Sequence, residues 1–226
     1  MTLTLGTAVL AWVLATAAGA DLVTVVQSLI SRPLVAGVAA GWLLGDVATG
    51  LRIGAVLELF ALDVVPVGSS RYPDFGAATV AAVWYAAGSD WTVTLGAATA
   101  LGLALAVAAG TTLGLTRRLN ARVVRSYAAR LSEGDSAAVT LVHLRCLAHD
   151  LFRSAGIAAG AVGVAAAARI GLGHPDRALG EGLDLVLLGG AAWAVAHGAM
   201  ASARSGPRWR WALAGLAVGT ALVLVR

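Results

Sequence analysis

Lysine is absent from this chain of 226 residues, so all 16 basic side chains are arginines. Charge of either sign is sparse as well. Asp, Glu, Lys and Arg make up 12% of the sequence, where a soluble domain carries roughly a quarter. The net charge of +4 does not point to nucleic acid, because the arginines gather in short connecting stretches where membrane topology places positive charge. Cys146 is the one cysteine, which excludes an internal disulfide. Between Arg145 and Leu147 in an apolar run, it reads as a small packing residue. Catalytic signatures are missing too. No His-Glu-x-x-His, no Gly-x-Ser-x-Gly and no phosphate-cradling loop occurs, and no cluster of His, Cys, Asp and Glu has the spacing of metal ligands. Neither a metal nor another cofactor is expected.

What abounds is apolar surface: 59% of residues are hydrophobic and the mean hydropathy is +0.83. Runs long enough to cross a bilayer recur, separated by polar turns rather than soluble inserts. The expectation is an all-α, polytopic integral membrane protein, one membrane domain over residues 1–226, with re-entrant or broken helices. Residues 1–20 end in small side chains as a signal peptide does, but they lack a basic leader. They read as an uncleaved first helix from Thr4 to Ala20. Thr92 to Leu115 is the cleanest crossing, about 36 Å as a helix against roughly 30 Å of hydrocarbon.

Behind that crossing the composition changes. Arg117, Arg118, Arg122, Arg125 and Arg130 fall within residues 116–135 beside only Glu133 and Asp135. This stretch reads as a cytoplasmic Arg-rich linker, either an anchor on anionic headgroups or a docking surface for a soluble partner. Val139 to Arg153 reads as amphipathic: His143 and Asp150, seven residues apart, share a helix face, with Arg153 three further on. Such a stripe suits a polar seam between helix bundles, a gate or a proton relay. Phe152 to Gly171, Leu183 to His197 and Trp211 to Val225 read as further membrane segments.

The densest information lies from Ser31 to Gly76. Gly37, Gly41 and Gly45 recur at every fourth residue, and Gly50 and Gly54 repeat that spacing. Each set lies on one helix face, where missing side chains let another backbone approach closely. Leu34 to Gly45 and Thr49 to Leu62 are each short for a crossing and are broken by Gly45-Asp46, the pattern of a discontinuous helix. Pro66 and Pro73 bracket a polar segment that no regular helix accommodates. Irregular backbone at membrane depth is tolerated where it lines a cavity, so this stretch is expected to line a site.

Gly45-Asp46, Thr49-Gly50, Ile53-Gly54 and Leu57-Glu58 in register, after Arg32-Pro33-Leu34 and before Pro73-Asp74, resemble the IIC membrane subunit of mannose-type sugar phosphotransferase systems. Leu141 to Gly156 resembles it more weakly. The resemblance implies a subunit that carries a sugar across the bacterial inner membrane beside a IID partner, in an oligomeric complex. A soluble IIAB donor phosphorylates the sugar, and this subunit has no phosphoryl-accepting residue of its own. It also implies that Glu58 and Asp74 lie at the sugar site.

The residues themselves fit that role without fixing it. A charge facing lipid costs roughly 2.5–3.5 kcal/mol, so Glu58 must face protein or water, and a carboxylate accepts from two sugar hydroxyls. A buried pair with Arg52 or Arg71 is the competing reading for Glu58, with the former disfavoured because residues 52 and 58 do not share a helix face. Asp74 is either a sugar ligand or an N-cap over Gly76, Ala77 and Ala78. Asp46 is expected to cap or shape a turn at the site, and Ser69 and Ser70 to supply hydroxyls. Two functions of other kinds remain open: a membrane assembly or regulatory subunit that moves no sugar, and a sugar transporter uncoupled from phosphorylation.

Overall fold

In the computed structural model of the chain, residues 4–22, 24, 28–62, 64, 72–89, 91–171, 173 and 175–203 are described. Ser69, Ser70 and the expected segment from Trp211 to Val225 lie outside them. The described residues form helices and turns without strands: α1 (Leu5–Asp21), α2 (Pro33–Leu43), α3 (Val47–Ala61), α4 (Phe75–Ala86), α5 (Trp91–Ser126), α6 (Ala128–Ser132), α7 (Ser136–Gly171) and α8 (Arg177–Ala203). Three of these, in α5, α7 and α8, are long and apolar enough to cross a membrane, whereas α1, α2 and α4 are shorter apolar helices. The chain is an all-α, polytopic membrane protein with broken helices.

The α2–α3 hairpin shows why the glycines recur. Pro33 opens α2 at a position where its missing N–H is not needed. Gly45 turns the chain with φ of +72°, and the Asp46 carboxylate caps α3 by accepting from the Thr49 N–H at 3.1 Å. The two helices then lie backbone to backbone. A Cβ on Gly37 would sit 2.5 Å from the Gly50 carbonyl oxygen, and one on Gly50 only 2.2 Å from that of Gly37. Gly41 and Gly54 make the same kind of approach.

Helix α4 is the centre of the bundle. All twelve of its residues are buried, as befits a helix apolar all round, and α1, α2, α3, α5 and α7 pack on it. A helix's ends are where its backbone groups need partners, and α7 fastens both ends of α4, by backbone carbonyls at one and by a side-chain pair at the other. At the C-terminus, Arg169 Nη1 donates to the carbonyls of Tyr85 at 2.7 Å and Ala87 at 2.9 Å. At the N-terminus, Arg153 meets Asp74. The two contacts make α4 and α7 run parallel.

Two boundaries differ from the sequence reading. Within the Arg-rich stretch 116–135 the chain is largely helical: α5 runs on to Ser126, α6 follows, and Gly134 with φ of +74° turns the chain into α7. Arginine is a good helix former, so charge marks where the chain leaves the bilayer without ending the helix. Likewise Val139 to Arg153 and Phe152 to Gly171 form one helix of 36 residues, about 54 Å long. The polar half therefore continues the spanning half.

Candidate functional site

Glu58 lies in the last turn of α3, and its carboxylate reaches back to the start of α2. There it pairs with Arg32 and accepts from the Leu34 N–H at 3.2 Å. A carboxylate from α3 thus serves the exposed donors of the α2 N-terminus, where the helix dipole also favours negative charge. The pair is partly open, with side-chain exposures of 35% for Arg32 and 17% for Glu58. Arg32 stood in the motif, but its pairing spans 26 residues and has no local periodicity that would reveal it.

Asp74 is in a different setting. It occupies the N-cap of α4 yet makes no capping bond with its side chain. Instead, Oδ2 accepts from Arg153 Nη2 at 2.5 Å, with exposures of 5% and 0% for the arginine and the aspartate. Arg153 Nε donates to the Thr112 hydroxyl on α5 at 2.9 Å. The Asp74 backbone N–H bonds the Ala106 carbonyl at 2.9 Å. One atom of each partner, Asp74 Oδ1 and Arg153 Nη1, is buried without a hydrogen bond. A Cβ on Gly110 would stand 2.3 Å from the Tyr72 carbonyl oxygen, so the Tyr72-Pro73-Asp74 strip is pressed onto α5. Arg117 lies over the Tyr72 ring, 5.5 Å from its centre.

The expected polar stripe on α7 is redistributed. His143 is exposed and away from the Asp74–Arg153 pair. The histidine that faces α5 is His149, one ring nitrogen of which lies 2.9 Å from Asn120 Oδ1. Asp150 also uses the Asn120 side chain as a hydrogen-bond partner. Arg153, Asp150 and His149 therefore form a seam with Thr112 and Asn120 of α5. The seven-residue spacing pointed to the right helix, but His149 and Asn120 were legible only once α5 was known to extend past its apolar run.

A further carboxylate, Asp21, stands at the end of α1. It is 4% exposed and accepts from the Ser28 N–H at 2.6 Å, the Ser28 hydroxyl at 2.9 Å and the Ser31 N–H at 3.0 Å. It thereby fixes the connection that delivers Arg32 and Pro33 to α2. Among the described residues no group of His, Cys, Asp and Glu is arranged to hold a metal ion.

The family described as the PTS system sorbose-specific IIC component matches residues 5–175. The PTS system sorbose-specific EIIC component of Klebsiella pneumoniae is 32% identical over 117 residues, which cover 51% of this chain and 43% of that protein. The matched stretch is thus less than half the length of that relative. A solved structure described as a membrane protein superimposes with a TM-score of 0.70 at 21% identity, covering 99% of this chain and 96% of its own. The structure of the mannose transporter ManYZ in complex with microcin E492 gives 0.63 at 22% identity, covering 100% and 96%. At those identities the likeness speaks for the fold.

Proposed function

The chain belongs to the family of sorbose-specific IIC components of phosphotransferase systems, and from that premise we propose that it is the sugar-translocating subunit of a mannose-type, phosphoenolpyruvate-dependent system in the bacterial inner membrane. It works beside a IID membrane subunit, and a soluble IIAB protein phosphorylates the sugar on the cytoplasmic side. The observation that carries the reading is Glu58: a carboxylate on a broken-helix hairpin, paired with Arg32, with both side chains partly accessible. Sugar hydroxyls donate to the carboxylate, and the guanidinium donates to sugar oxygens. A half-exposed pair of this kind can exchange one partner for a ligand without stranding a charge in a dry interior. Asp46 fixes the start of α3 and so the bearing of Glu58. Ser69 and Ser70, in the segment between α3 and Tyr72, add hydroxyl contacts. Asp74 is enclosed with Arg153 in this conformation and borders the sugar path from the α4–α7 side, while the hairpin that carries Glu58 moves relative to it.

The experiment is uptake of labelled mannose and sorbose in cells lacking their own system, expressing the chain with its IID and IIAB partners. Uptake that requires IIAB and falls at least tenfold in Glu58→Gln, at equal membrane levels, is the expected result. Transport that persists without IIAB would favour a transporter uncoupled from phosphorylation. An assembled complex that moves neither these sugars nor glucose, fructose and amino sugars would overturn the transport reading in favour of an assembly subunit.

A further inference from the structure

Between α5 and α7 lies a groove of about 420 Å³. Its walls are mostly apolar: Leu115, Leu119, Phe152 and Ile157, with Thr112 and Gly156 at one end. Leu115 is 61% exposed and Phe152 78%, which suits contact with hydrocarbon and not with water. The stripes that line it continue into charge. On α7, Arg145 lies four residues before His149, which itself precedes Phe152 and Gly156 on the same face. On α5, Arg122 follows Leu119 by three. Both arginines are exposed, and Arg145 lies 5.3 Å from the centre of the Tyr127 ring. Ten residues of helix separate Thr112 from Arg122, and eleven separate Arg145 from Gly156, about 15–17 Å in each case. That is about the hydrocarbon depth of one leaflet, half of the roughly 30 Å core.

We propose that this groove holds one anionic phospholipid, its acyl chain along Leu115, Leu119, Phe152 and Gly156 and its phosphate between Arg122 and Arg145. Long arginine side chains at helix ends reach the headgroup level with apolar stems along the helix, and basic pockets between membrane helices suit anionic headgroups. The groove opens beside the Arg153–Thr112 contact, so an acyl chain there shields the buried Asp74–Arg153 pair from water. The inference does not depend on what the protein transports.

The test is native mass spectrometry of the full chain released from detergent, titrated with phosphatidylglycerol or phosphatidylcholine of equal chain length. Wild type is expected to retain one phosphatidylglycerol in preference to phosphatidylcholine. That preference falls roughly fivefold for each arginine lost in Arg122→Gln and Arg145→Gln. Arg177→Gln removes one exposed charge at the start of α8, outside the lining of the groove, and leaves the preference intact. Gly156→Leu fills the groove, since a Cβ there meets nothing within 4 Å, and abolishes retention. Equal retention of both lipids overturns the proposal, as does a loss in the Arg177 control equal to that of either groove arginine. A Gly156→Leu variant that keeps its lipid, or that changes subunit number instead, overturns it too, the latter by showing that a second copy covers the groove. Should Gly156→Leu lose its helical circular dichroism, the arginine variants decide alone.

Discussion

Replacing Gly50 with alanine adds one methyl group where the hairpin has no room for it. Its Cβ would lie 2.2 Å from the Gly37 carbonyl oxygen and 2.8 Å from the Gly41 Cα, both of them backbone atoms that cannot swing aside. Restoring ordinary contact requires α2 and α3 to part by about 1 Å, and overpacking of this kind costs roughly 1–3 kcal/mol. Alanine recovers up to about 1 kcal/mol of helix propensity relative to glycine, so the net loss is roughly 0–2 kcal/mol. The control is Gly163→Ala on α7, where the added Cβ meets nothing within 4 Å and only the propensity gain, about 0.5–1 kcal/mol, applies. Thermal unfolding in one detergent, followed by loss of helical circular dichroism, should lower the midpoint for Gly50→Ala and raise it for Gly163→Ala. The first variant should also impair uptake out of proportion to its stability, because parting the helices draws Glu58 away from Arg32 and the Leu34 N–H. Equal midpoints for the two variants would refute the argument that the glycine face is a packing surface.

The other perturbations divide by place. Arg153→Leu strands the Asp74 carboxylate at 0% exposure and should cost roughly 3–5 kcal/mol. The double variant with Asp74→Leu should recover most of that loss in the same unfolding assay, and no recovery would show that the pair is not what the site needs. Arg169→Leu leaves the carbonyls of Tyr85 and Ala87 without their donor and should cost roughly 1.5–3 kcal/mol. Arg169→Lys should retain part of the stability, since a point charge still serves the helix C-terminus. At the tip between α6 and α7, the hydrogen bond from Arg130 and those from the Ala138 and Ala137 N–H groups hold the Asp135 carboxyl below the ordinary carboxylate range. A depressed pKa stabilises the turn above the unfolded value, near 4, and that contribution is lost as the pH falls through the folded value. Protection of the Ala137 and Ala138 amides, measured against the intrinsic exchange rate at each pH, should therefore fall below about pH 4, and Asp135→Asn should remove that change in protection.

The hairpin was legible because its signal is local. Glycines four apart, Pro33 and the Gly45-Asp46 break each act within a few residues, and the structure uses each as the spacing suggests. Gly45 is the exception: it is a turn glycine, not part of the packing face. The long helices were misdivided because hydropathy marks the bilayer, and α5 and α7 continue as helix beyond it. The partners of the charged groups were the least legible. Arg32 meets Glu58 across 26 residues and Arg153 meets Asp74 across 79. Such pairings follow from how helices stack, and no window along one helix contains that information. Arg169 could have been singled out as a lone charge in an apolar helix, although its partners, backbone carbonyls of α4, could not.

The two ion pairs differ in a way that, on the proposed function, separates support from recognition. Asp74 and Arg153 are closed off at 0% and 5% exposure, while Glu58 and Arg32 stand at 17% and 35%. Breaking a fully desolvated pair leaves a bare charge in a medium of low dielectric constant, so such a pair resists exchange with a ligand. A pair already sharing water loses far less when a hydroxyl takes the place of one partner. Helix α4, closed at its N-terminal end by Arg153 and at its C-terminal end by Arg169, is therefore fastened to α7 as one body. The hairpin contacts α4 through α2 and α3, and its own stiffness comes from the glycine face. A hinge between these two parts would move Glu58 relative to Asp74 while leaving each internally intact. That is the motion a site alternating between two membrane faces requires, and it keeps the exchangeable carboxylate on one body and the staple on the other.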